Sequence, residues 1–463
     1  MSSSPSSEDR KLSVFVNFPS LYTHSLILSA LTSVLPSLSL SFEPPNESNV
    51  PDLQWADYDL LCLDTIQSNP STQLISSYVY RKTLIRKHML HAAIQEYLAK
   101  QRHRGTEDNV LEKAIPRGWA IDIQFADELD GLMVDELYDL REDLQENETA
   151  GEPSDRKTAI FESFEPESDD EEDDEEENES VDEDAHVKRM KGLALKDFPD
   201  DESCDTPDAD ALDEDDGQLE TGVQTSQLRH FVIQFHLRAY VMMTGTYQLY
   251  LSKTMLALFS DEAFSLPAGE LDVDGSDLRA HLTNTCLQDA NESGPPEHLV
   301  KLFWELEGQS ILSSAKETSG PVGKIDNPWL QTVFNGVGDV VAETVKAAAE
   351  CGSFGLQLMP NAFEIFGVDL LLSFDPVIAQ ARPIITLLEF NASPDFTQSG
   401  NRLREELAEA FKGVIKLVIA PFFDVKRFAD EGEEGHETFS SLQIGEEKYG
   451  WKKIGEQETR GTW

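Results

Sequence analysis

Three oxygen-bearing side chains, Asp369, Glu389 and Asn391, lie in two successive segments that have the composition of β-strands: residues 361–375 (NAFEIFGVDLLLSFD) and 383–396 (PIITLLEFNASPDF). Alternate residues of a strand point to one face, so Glu389 and Asn391 should project together, and Asp369 joins them if the two strands pair. Carboxylate and carboxamide oxygens are ligands that Mg²⁺ takes, and phosphate oxygens and water complete its octahedron. Buried carboxylates without a cation would be costly. The spacing is therefore compatible with a magnesium site at a strand end.

A second interpretation needs no metal. The two carboxylates could face water or pair with Arg382, and Asn391 could simply open the turn that follows it. The spacing alone leaves both interpretations open.

The elements that must position these residues begin with a predicted β-α-β unit. Residues 12–18 read as a strand, residues 20–35 as a helix and residues 58–64 as a second buried strand, which favours a parallel sheet. A long helix is predicted over residues 72–101. Its basic side is more simply explained as solvated surface than as a binding patch, and consists of Arg81, Lys82, Arg86 and Lys87.

Further along the chain, residues 228–259 alternate and cluster like two or three strands around a turn at Thr244–Thr246. Helices are predicted over residues 337–350 and 401–419, where apolar residues recur at helical spacing. The two strands that carry the oxygen ligands lie between these helices.

The charge of the chain is strongly negative, with a formal net value of −50 over 463 residues. Fifteen Asp or Glu residues fall in 165–184 and ten more in 200–216, which leaves about −25 for the rest. These acidic stretches have too little apolar surface to offset their ordering entropy, so a disordered insertion is predicted. Binding to nucleic acid requires clustered basic residues, and no basic face dominates here. We therefore expect no nucleic acid partner.

Cysteine usage indicates a protein of a reducing compartment. The four cysteines are far apart and form no zinc-type pairs; they are Cys62, Cys204, Cys286 and Cys351. We expect no membrane span, because no apolar run reaches the roughly 18 residues that a span needs. The 40% of hydrophobic residues is ample for a core.

Three motifs in a fixed order resemble the tubulin–tyrosine ligase family. They are HLTNTCLQ (281–288), FEIFGVDLLL and LLEFNASPDF. The resemblance runs from about residue 12 to residue 424 and is closest to the fungal branch, which commonly carries an acidic insertion. It implies an α/β (α+β) fold, an ATP-grasp-like ligase with an N-terminal parallel α/β subdomain and a long acidic disordered insertion.

The activity that the resemblance implies is ligation of an amino acid, tyrosine, to a protein C-terminal carboxylate, with ATP and Mg²⁺ as cofactors. The γ-phosphate of ATP activates the carboxylate as an acyl phosphate, and an amino group then displaces phosphate. The implied partners are the α-tubulin C-terminal tail and free tyrosine. The implied site comprises Arg238 and Asn284 as catalytic residues, Lys253, Asn284, Asp369 and Glu389 as cofactor-binding residues, and Asp369, Glu389 and Asn391 as metal ligands.

The predicted organisation follows from these assignments. It comprises a disordered N-terminus (1–11), an N-terminal α/β subdomain (12–110), a central ATP-grasp segment (111–151), the acidic insertion (152–222), a C-terminal catalytic subdomain (223–424) and a C-terminal tail (425–463). We expect a cytoplasmic protein, with the P-body as one alternative within the cytoplasm.

The chain also departs from the family pattern. No W-I-x-K-P strand with a glycine loop occurs between Glu148 and Phe161, although the family uses these to hold ATP phosphates. Gln234 runs straight into Phe235, where the family has a hinge, and His236 stands where many members have Asp. Three alternatives therefore stay open: a tubulin-type ligase, a catalytically weak or inactive pseudo-ligase scaffold, and an ATP-grasp ligase with a non-tubulin substrate.

Overall fold

The structure is a computed structural model of the 463-residue chain. It describes residues 11–35, 37–46, 49–106, 108–116, 118, 231–260, 297–312, 321–352, 355–374, 383–425, 427–430 and 442–457. The acidic insertion and the predicted disordered N-terminus through residue 10 lie outside these residues.

A four-stranded parallel sheet forms the N-terminal part of the fold. Its strands are β1 (Leu12–Asn17), β2 (Leu38–Ser41), β3 (Leu53–Ala56) and β4 (Leu74–Ile75), in the order β2-β1-β3-β4. Helix α1 (Leu21–Val34) crosses from β1 to β2 and begins at Ser20, whose hydroxyl accepts the Thr23 N–H at 3.2 Å. The predicted strand and helix at the start of the chain, and the parallel sheet, are confirmed.

The position predicted for the second strand, residues 58–64, was wrong. The strand is β3, which starts five residues earlier, and Tyr58–Leu60 form a 3₁₀ turn. A buried polar residue explains the error: Gln54 is fully buried within β3, and its amide bonds both the N–H and the C=O of Cys62. The Gln54 side chain thus satisfies the backbone of the apolar segment that resembled a strand.

The helix predicted over residues 72–101 was also wrong at its start. Residues 74 and 75 form β4 against β3, and two helices follow, α2 (Lys82–Ile85) and α3 (Lys87–His103), separated at Arg86, which has an extended backbone. Ser76 ties β4 to β3 by donating its hydroxyl to the Ala56 carbonyl at 3.1 Å. Strand pairing outweighs local helical spacing in this segment. A one-turn helix, α4 (Leu111–Ala114), follows.

A larger antiparallel sheet carries the polar residues considered below. Its main path runs β12-β11-β5-β6-β14-β13, and a side branch pairs β7 with β5 and β8 with β7. The strands are β5 (Phe231–Thr244), β6 (Gln248–Ser252), β7 (Leu256–Phe259), β8 (Val300–Leu302), β11 (Phe363–Phe374), β12 (Ile384–Ala392), β13 (Glu447–Lys448) and β14 (Trp451–Glu456). A separate hairpin is formed by β9 (Ser310–Leu312) and β10 (Pro321–Lys324). The strands predicted over 228–259 and 361–396 are therefore confirmed.

Helices cover both faces of this sheet. Helix α5 (Asn327–Cys351) packs on one face and is much longer than the predicted 337–350. Two glycines inside it allow close packing, because a Cβ at Gly336 would lie 2.5 Å from Ile385 and one at Gly338 would lie 3.1 Å from Ile454. On the other face lie α1 and α6 (Arg404–Val414), which continues through a π-helical turn at Ile415–Ile419 into α7 (Ala420–Phe422).

The residues predicted as a C-terminal tail take part in the sheet. Strand β14 pairs with β6, and Trp451 is almost fully buried, with its indole N–H donated to the Ala410 carbonyl at 2.9 Å. Gly413 leaves room for this indole, since a Cβ there would lie 2.6 Å from the ring. This segment thus closes one end of the core between the sheet and the helices α1 and α6.

None of the helices among the described residues combines the length and apolar character needed to cross a membrane. Cys62 and Cys351 are free thiols, and the other two cysteines lie outside the described residues.

Candidate functional site

Asp369, Glu389 and Asn391 meet on one face of the antiparallel sheet. Asp369 of β11 pairs directly with Glu389 of the edge strand β12, and Asn391 lies two residues further along β12 on the same face. The Asn391 amide donates to Asp369 Oδ2 at 3.1 Å and to Glu389 Oε1 at 3.3 Å. Strand alternation and register thus bring together the three residues that sequence spacing suggested.

Arg238 joins this group from the other neighbour of β11. It pairs in register with Asp369 and donates Nε to Oδ1 at 2.5 Å and Nη2 to Oδ2 at 2.9 Å. The two side chains are only 12% and 7% exposed. Burial by itself lowers the pKa of Arg238, but the hydrogen bonds and the charge of Asp369 raise it above its ordinary value. The cation that Asp369 needs is therefore supplied by the protein.

Lys87 approaches the group at the sheet edge. It is the first residue of α3, and its ammonium lies 3.3 Å from Glu389 Oε2, with both side chains partly exposed. Two carboxylates and two cations give these four side chains a formal charge of zero. The basic residues predicted as solvated surface therefore include one that reaches the candidate site. Arg81 also turns inward, with its Nε 2.9 Å from the buried carboxylate of Glu364.

His236 lies beside the same carboxylate, two residues before Arg238. Its Nε2 is 4.0 Å from Asp369 Oδ1, and the side chain is 7% exposed. Burial lowers the pKa of His236 to about 4; Asp369 partly opposes this change and Arg238 adds to it. The imidazole is therefore neutral at physiological pH. Where many family members have a carboxylate, this chain places an uncharged ring.

Tyr240 continues this face of the sheet. Its hydroxyl is buried and has no hydrogen-bond partner among the described residues. Burial raises the pKa of this hydroxyl, and the charges of Arg238, Asp369 and Asp395 act on it. Gly367, opposite Tyr240 in register, leaves room for this arrangement, because a Cβ there would lie 2.9 Å from Pro394 and 3.2 Å from Arg238. A buried hydroxyl without a protein partner is a group that a bound ligand could satisfy.

These donors fit a magnesium-bound phosphate better than a metal held by protein alone. The described residues contain no group of three or more His, Cys, Asp and Glu side chains that could hold a metal ion. Mg²⁺ is usually held by one or two carboxylates together with substrate phosphates and water. Asp369, Glu389 and Asn391 offer oxygens of that type, and Arg238 and Lys87 are cations suited to phosphate.

Two other residues predicted for the site are not part of this group. Lys253 lies where β6 gives way to β7, bonds Glu447 at 2.9 Å and approaches the rings of Trp304 and Phe334, on the face where α5 packs. The structure therefore does not bring it to Asp369. Asn284 lies outside the described residues, as do Arg382 and the segment between Glu148 and Phe161. Strand β5 runs unbroken through Gln234 and Phe235, so the described chain has no hinge there.

Two members of the group could not be identified from sequence patterns. Lys87 belongs to a basic run more than 300 residues from Glu389 along the chain, and only the packing of α2 and α4 along β12 brings the start of α3 to this edge. Tyr240 reads as an ordinary strand residue. Its unpaired hydroxyl becomes visible only once its neighbours are placed.

The comparisons with known proteins agree with these observations. The model of the tubulin-tyrosine ligase family matches residues 231–427, which include β5, β11 and β12. A probable tubulin–tyrosine ligase of Schizosaccharomyces pombe is 29% identical over 434 residues, which cover 90% of this chain and 94% of the relative. The probable tubulin–tyrosine ligase PBY1 of Saccharomyces cerevisiae is 28% identical over 444 residues, which cover 90% of this chain and 53% of that protein.

A solved structure shows the same fold. The C-terminal domain of K. lactis Pby1, described as an ATP-grasp enzyme interacting with the mRNA decapping enzyme Dcp2, superposes with a TM-score of 0.55 at 21% identity. The match covers 96% of this chain and all of that domain. The predicted fold class, a mixed α/β fold of the ATP-grasp type, is thereby confirmed. Together with the two fungal relatives, the matching family model shows that residues 231–427 form a domain of the tubulin–tyrosine ligase family.

Proposed function

We propose that this chain is an ATP- and Mg²⁺-dependent ligase that joins the amino group of an amino acid to a protein C-terminal carboxylate. The observation that carries the proposal is the meeting of Asp369, Glu389 and Asn391 beside Arg238 on three adjacent strands. Tyrosine and the α-tubulin C-terminal tail are the first substrates to test, because the two fungal relatives are both named probable tubulin–tyrosine ligases.

In this proposal the acceptor carboxylate attacks the γ-phosphorus of ATP, which forms an acyl phosphate and releases ADP. The amino group then attacks the acyl carbon, phosphate leaves, and the proton of the amine passes to solvent. Bound Mg²⁺ would offset the negative charge of the phosphates. Asp369, Glu389 and Asn391 would hold the ion, and Arg238 and Lys87 would orient the phosphate oxygens.

A specific observation also favours the weak or inactive alternative. Both carboxylate oxygens of Asp369 already accept from Arg238, and the neighbouring His236 is neutral because its pKa is lowered to about 4. A cluster with two cations and two carboxylates attracts a free metal ion less than an acidic cluster would. The second candidate is therefore a pseudo-ligase that binds ATP weakly and serves as a scaffold.

Calorimetry with Mg²⁺ and ATP tests the site directly. We expect the intact chain to bind ATP in a Mg²⁺-dependent manner, and Glu389→Gln to weaken that binding at least tenfold. The control is Glu305→Gln, which removes a partly exposed carboxylate paired with Arg402 outside the group. Failure of the intact chain to bind ATP at millimolar concentration would leave only the scaffold.

A ligation assay then separates the two active alternatives. Labelled tyrosine is offered with detyrosinated α-tubulin, and Glu389→Gln serves as the blank. We expect slow incorporation above the blank if tubulin is the acceptor. Binding of ATP without incorporation would contradict the tubulin assignment and favour an ATP-grasp ligase with another acceptor.

We also propose a cytoplasmic location that includes P-bodies. The support is that the K. lactis domain of the same fold is described as interacting with a decapping enzyme, and that PBY1 is one of the sequence relatives. Fluorescent tagging of the full chain together with a decapping marker tests this. Uniform nuclear signal would contradict it.

A further inference from the structure

A partly open cavity of about 240 Å³ lies beside the candidate site, between the parallel sheet and the antiparallel sheet. One wall is formed by residues at the carboxyl ends of parallel strands: Phe18 after β1, Ala56 at the end of β3, Asp57 after it, and Ser76 after β4. From β1 the chain crosses to β2 on one side and then to β3 on the other. The cavity therefore occupies a topological switch point, where open α/β sheets bind ligands.

The opposite wall comes from the antiparallel sheet. Phe363 and Ile365 of β11 contribute to it, together with the turn after β12 and Phe411 of α6. Trp55 packs edge-on against Phe363 at 5.3 Å and against Phe411 at 5.9 Å. Aromatic rings fixed in this way give the cavity rigid apolar walls.

The charges around this cavity are negative. The described residues that line it include Asp57, Glu364 and Asp395 but no Lys, Arg or His. Glu364 is compensated by Arg81, whose guanidinium also lies 4.0 Å from the centre of the Tyr58 ring. Among the described residues, the other two carboxylates accept hydrogen bonds only at Oδ1. Asp57 Oδ1 accepts the Tyr58 N–H at 2.7 Å, and Asp395 Oδ1 accepts the Thr397 N–H at 2.8 Å and the Thr397 hydroxyl at 2.6 Å.

The second oxygen of each of these two aspartates is therefore available to a ligand. Within the part of the chain that the structure describes, neither aspartate has an ion-pair partner. Carboxylates at the rim of an aromatic cavity favour a cation, since the rings attract positive charge as well. The same carboxylates would repel a nucleotide phosphate.

We propose that this cavity binds a small organic cation, a primary ammonium group on an aromatic or aliphatic body. The ammonium lies at Asp57 and Asp395, and the apolar body lies against Trp55 and Phe363. This site is distinct from the group around Asp369, because Asp369, Glu389 and Asn391 do not line the cavity. Pro394 does line it, and packs over Gly367 next to Arg238. The inference does not depend on ligase activity.

Three ligands that share a phenol ring but differ in charge test this proposal by calorimetry at pH 7.5. They are tyramine (cation), tyrosol (neutral) and 3-(4-hydroxyphenyl)propionate (anion). We expect tyramine to bind at least tenfold more tightly than tyrosol, and the anion not to bind. Equal binding of tyramine and tyrosol, binding of the anion, or no binding of tyramine at millimolar concentration would overturn the proposal.

Variants locate the binding. The double variant Asp57→Asn and Asp395→Asn removes both charges but keeps the side-chain oxygens that accept the Tyr58 and Thr397 N–H groups. We expect it to lower tyramine affinity about tenfold without changing the thermal unfolding midpoint. Glu406→Gln is the control, because it removes an exposed carboxylate from α6, the helix that supplies Phe411. Unchanged affinity in a folded double variant would place tyramine elsewhere and refute the site.

Discussion

The pairing of Arg238 with Asp369 should make a large contribution to stability, and Asp369→Asn measures it. Both side chains are nearly buried, at 12% and 7% exposed, and they share two hydrogen bonds of 2.5 and 2.9 Å. Removing one partner of a buried ion pair costs about 3–5 kcal/mol, because the other charge stays buried without compensation. Counting the hydrogen bonds instead, at roughly 1.5–3 kcal/mol for each bond to a charged group, gives a similar sum. Asparagine keeps one acceptor, so we expect a loss of about 3 kcal/mol.

A matched control comes from a second Arg–carboxylate pair with two hydrogen bonds. Arg402 donates to Glu305 at 2.7 and 3.2 Å, but each side chain is 40% exposed. Solvent screens this pair, so Glu305→Gln should cost less than about 1 kcal/mol. Urea unfolding of both variants gives the difference, provided that the dependence of the unfolding free energy on urea is unchanged. If Asp369→Asn costs no more than Glu305→Gln, burial does not set the strength of the Arg238 pair and the reasoning fails.

Three further outcomes are expected. Burial raises the pKa of Glu364 from 4.5 to about 7. The contribution of Glu364 to the free energy of unfolding is therefore complete below pH 4.5 and is lost as the pH rises to about 7. Glu364→Gln should remove about 3 kcal/mol of this pH dependence, measured by urea unfolding at pH 4.5 and pH 8. Gly367→Ala would place a Cβ 2.9 and 3.2 Å from neighbouring side chains and should lower the free energy of unfolding by about 1–3 kcal/mol. Gly455→Ala, whose Cβ would have its nearest contact at 3.4 Å, should be tolerated. Equal losses of stability in the two variants would contradict the packing argument. Lys87→Met should change the free energy of unfolding by less than about 1 kcal/mol, because the pair of Lys87 with Glu389 is partly exposed. The same variant should lower the affinity for ATP with Mg²⁺ about tenfold, measured by calorimetry. Unchanged affinity would remove Lys87 from the proposed phosphate site.

Local sequence predicted the strands that carry the candidate site. Residues 363–374 and 384–392 are apolar and β-branched, and the period of two places Glu389 and Asn391 on one face whatever the rest of the fold does. The first strand and the helix of the β-α-β opening were also predicted, because they have clear and different periods.

Local sequence failed where pairing partners decide the conformation. Leu74 and Ile75 sit in a segment with helical spacing, yet hydrogen bonds to β3 make them a strand. Strand β3 was missed because it contains the polar residue Gln54. The burial of Gln54 depends on its hydrogen bonds to the Cys62 backbone, which only the fold places beside it. The prediction made helix α5 too short. Gly336 and Gly338 lie inside the helix because they allow it to pack closely on the sheet, and local sequence does not reveal this contact.

The amino-acid sequence alone specifies which chemical groups the site could use: two carboxylates and a carboxamide at fixed spacing, and an arginine in an apolar strand. The electrostatic state of that site depends on how the elements pack. Register across three strands places Arg238 on both oxygens of Asp369, and the packing of α2 and α4 along β12 brings Lys87 to Glu389. The physical reason is that strand periodicity is a local property of the chain, whereas the charge around a carboxylate depends on residues that can be hundreds of positions away.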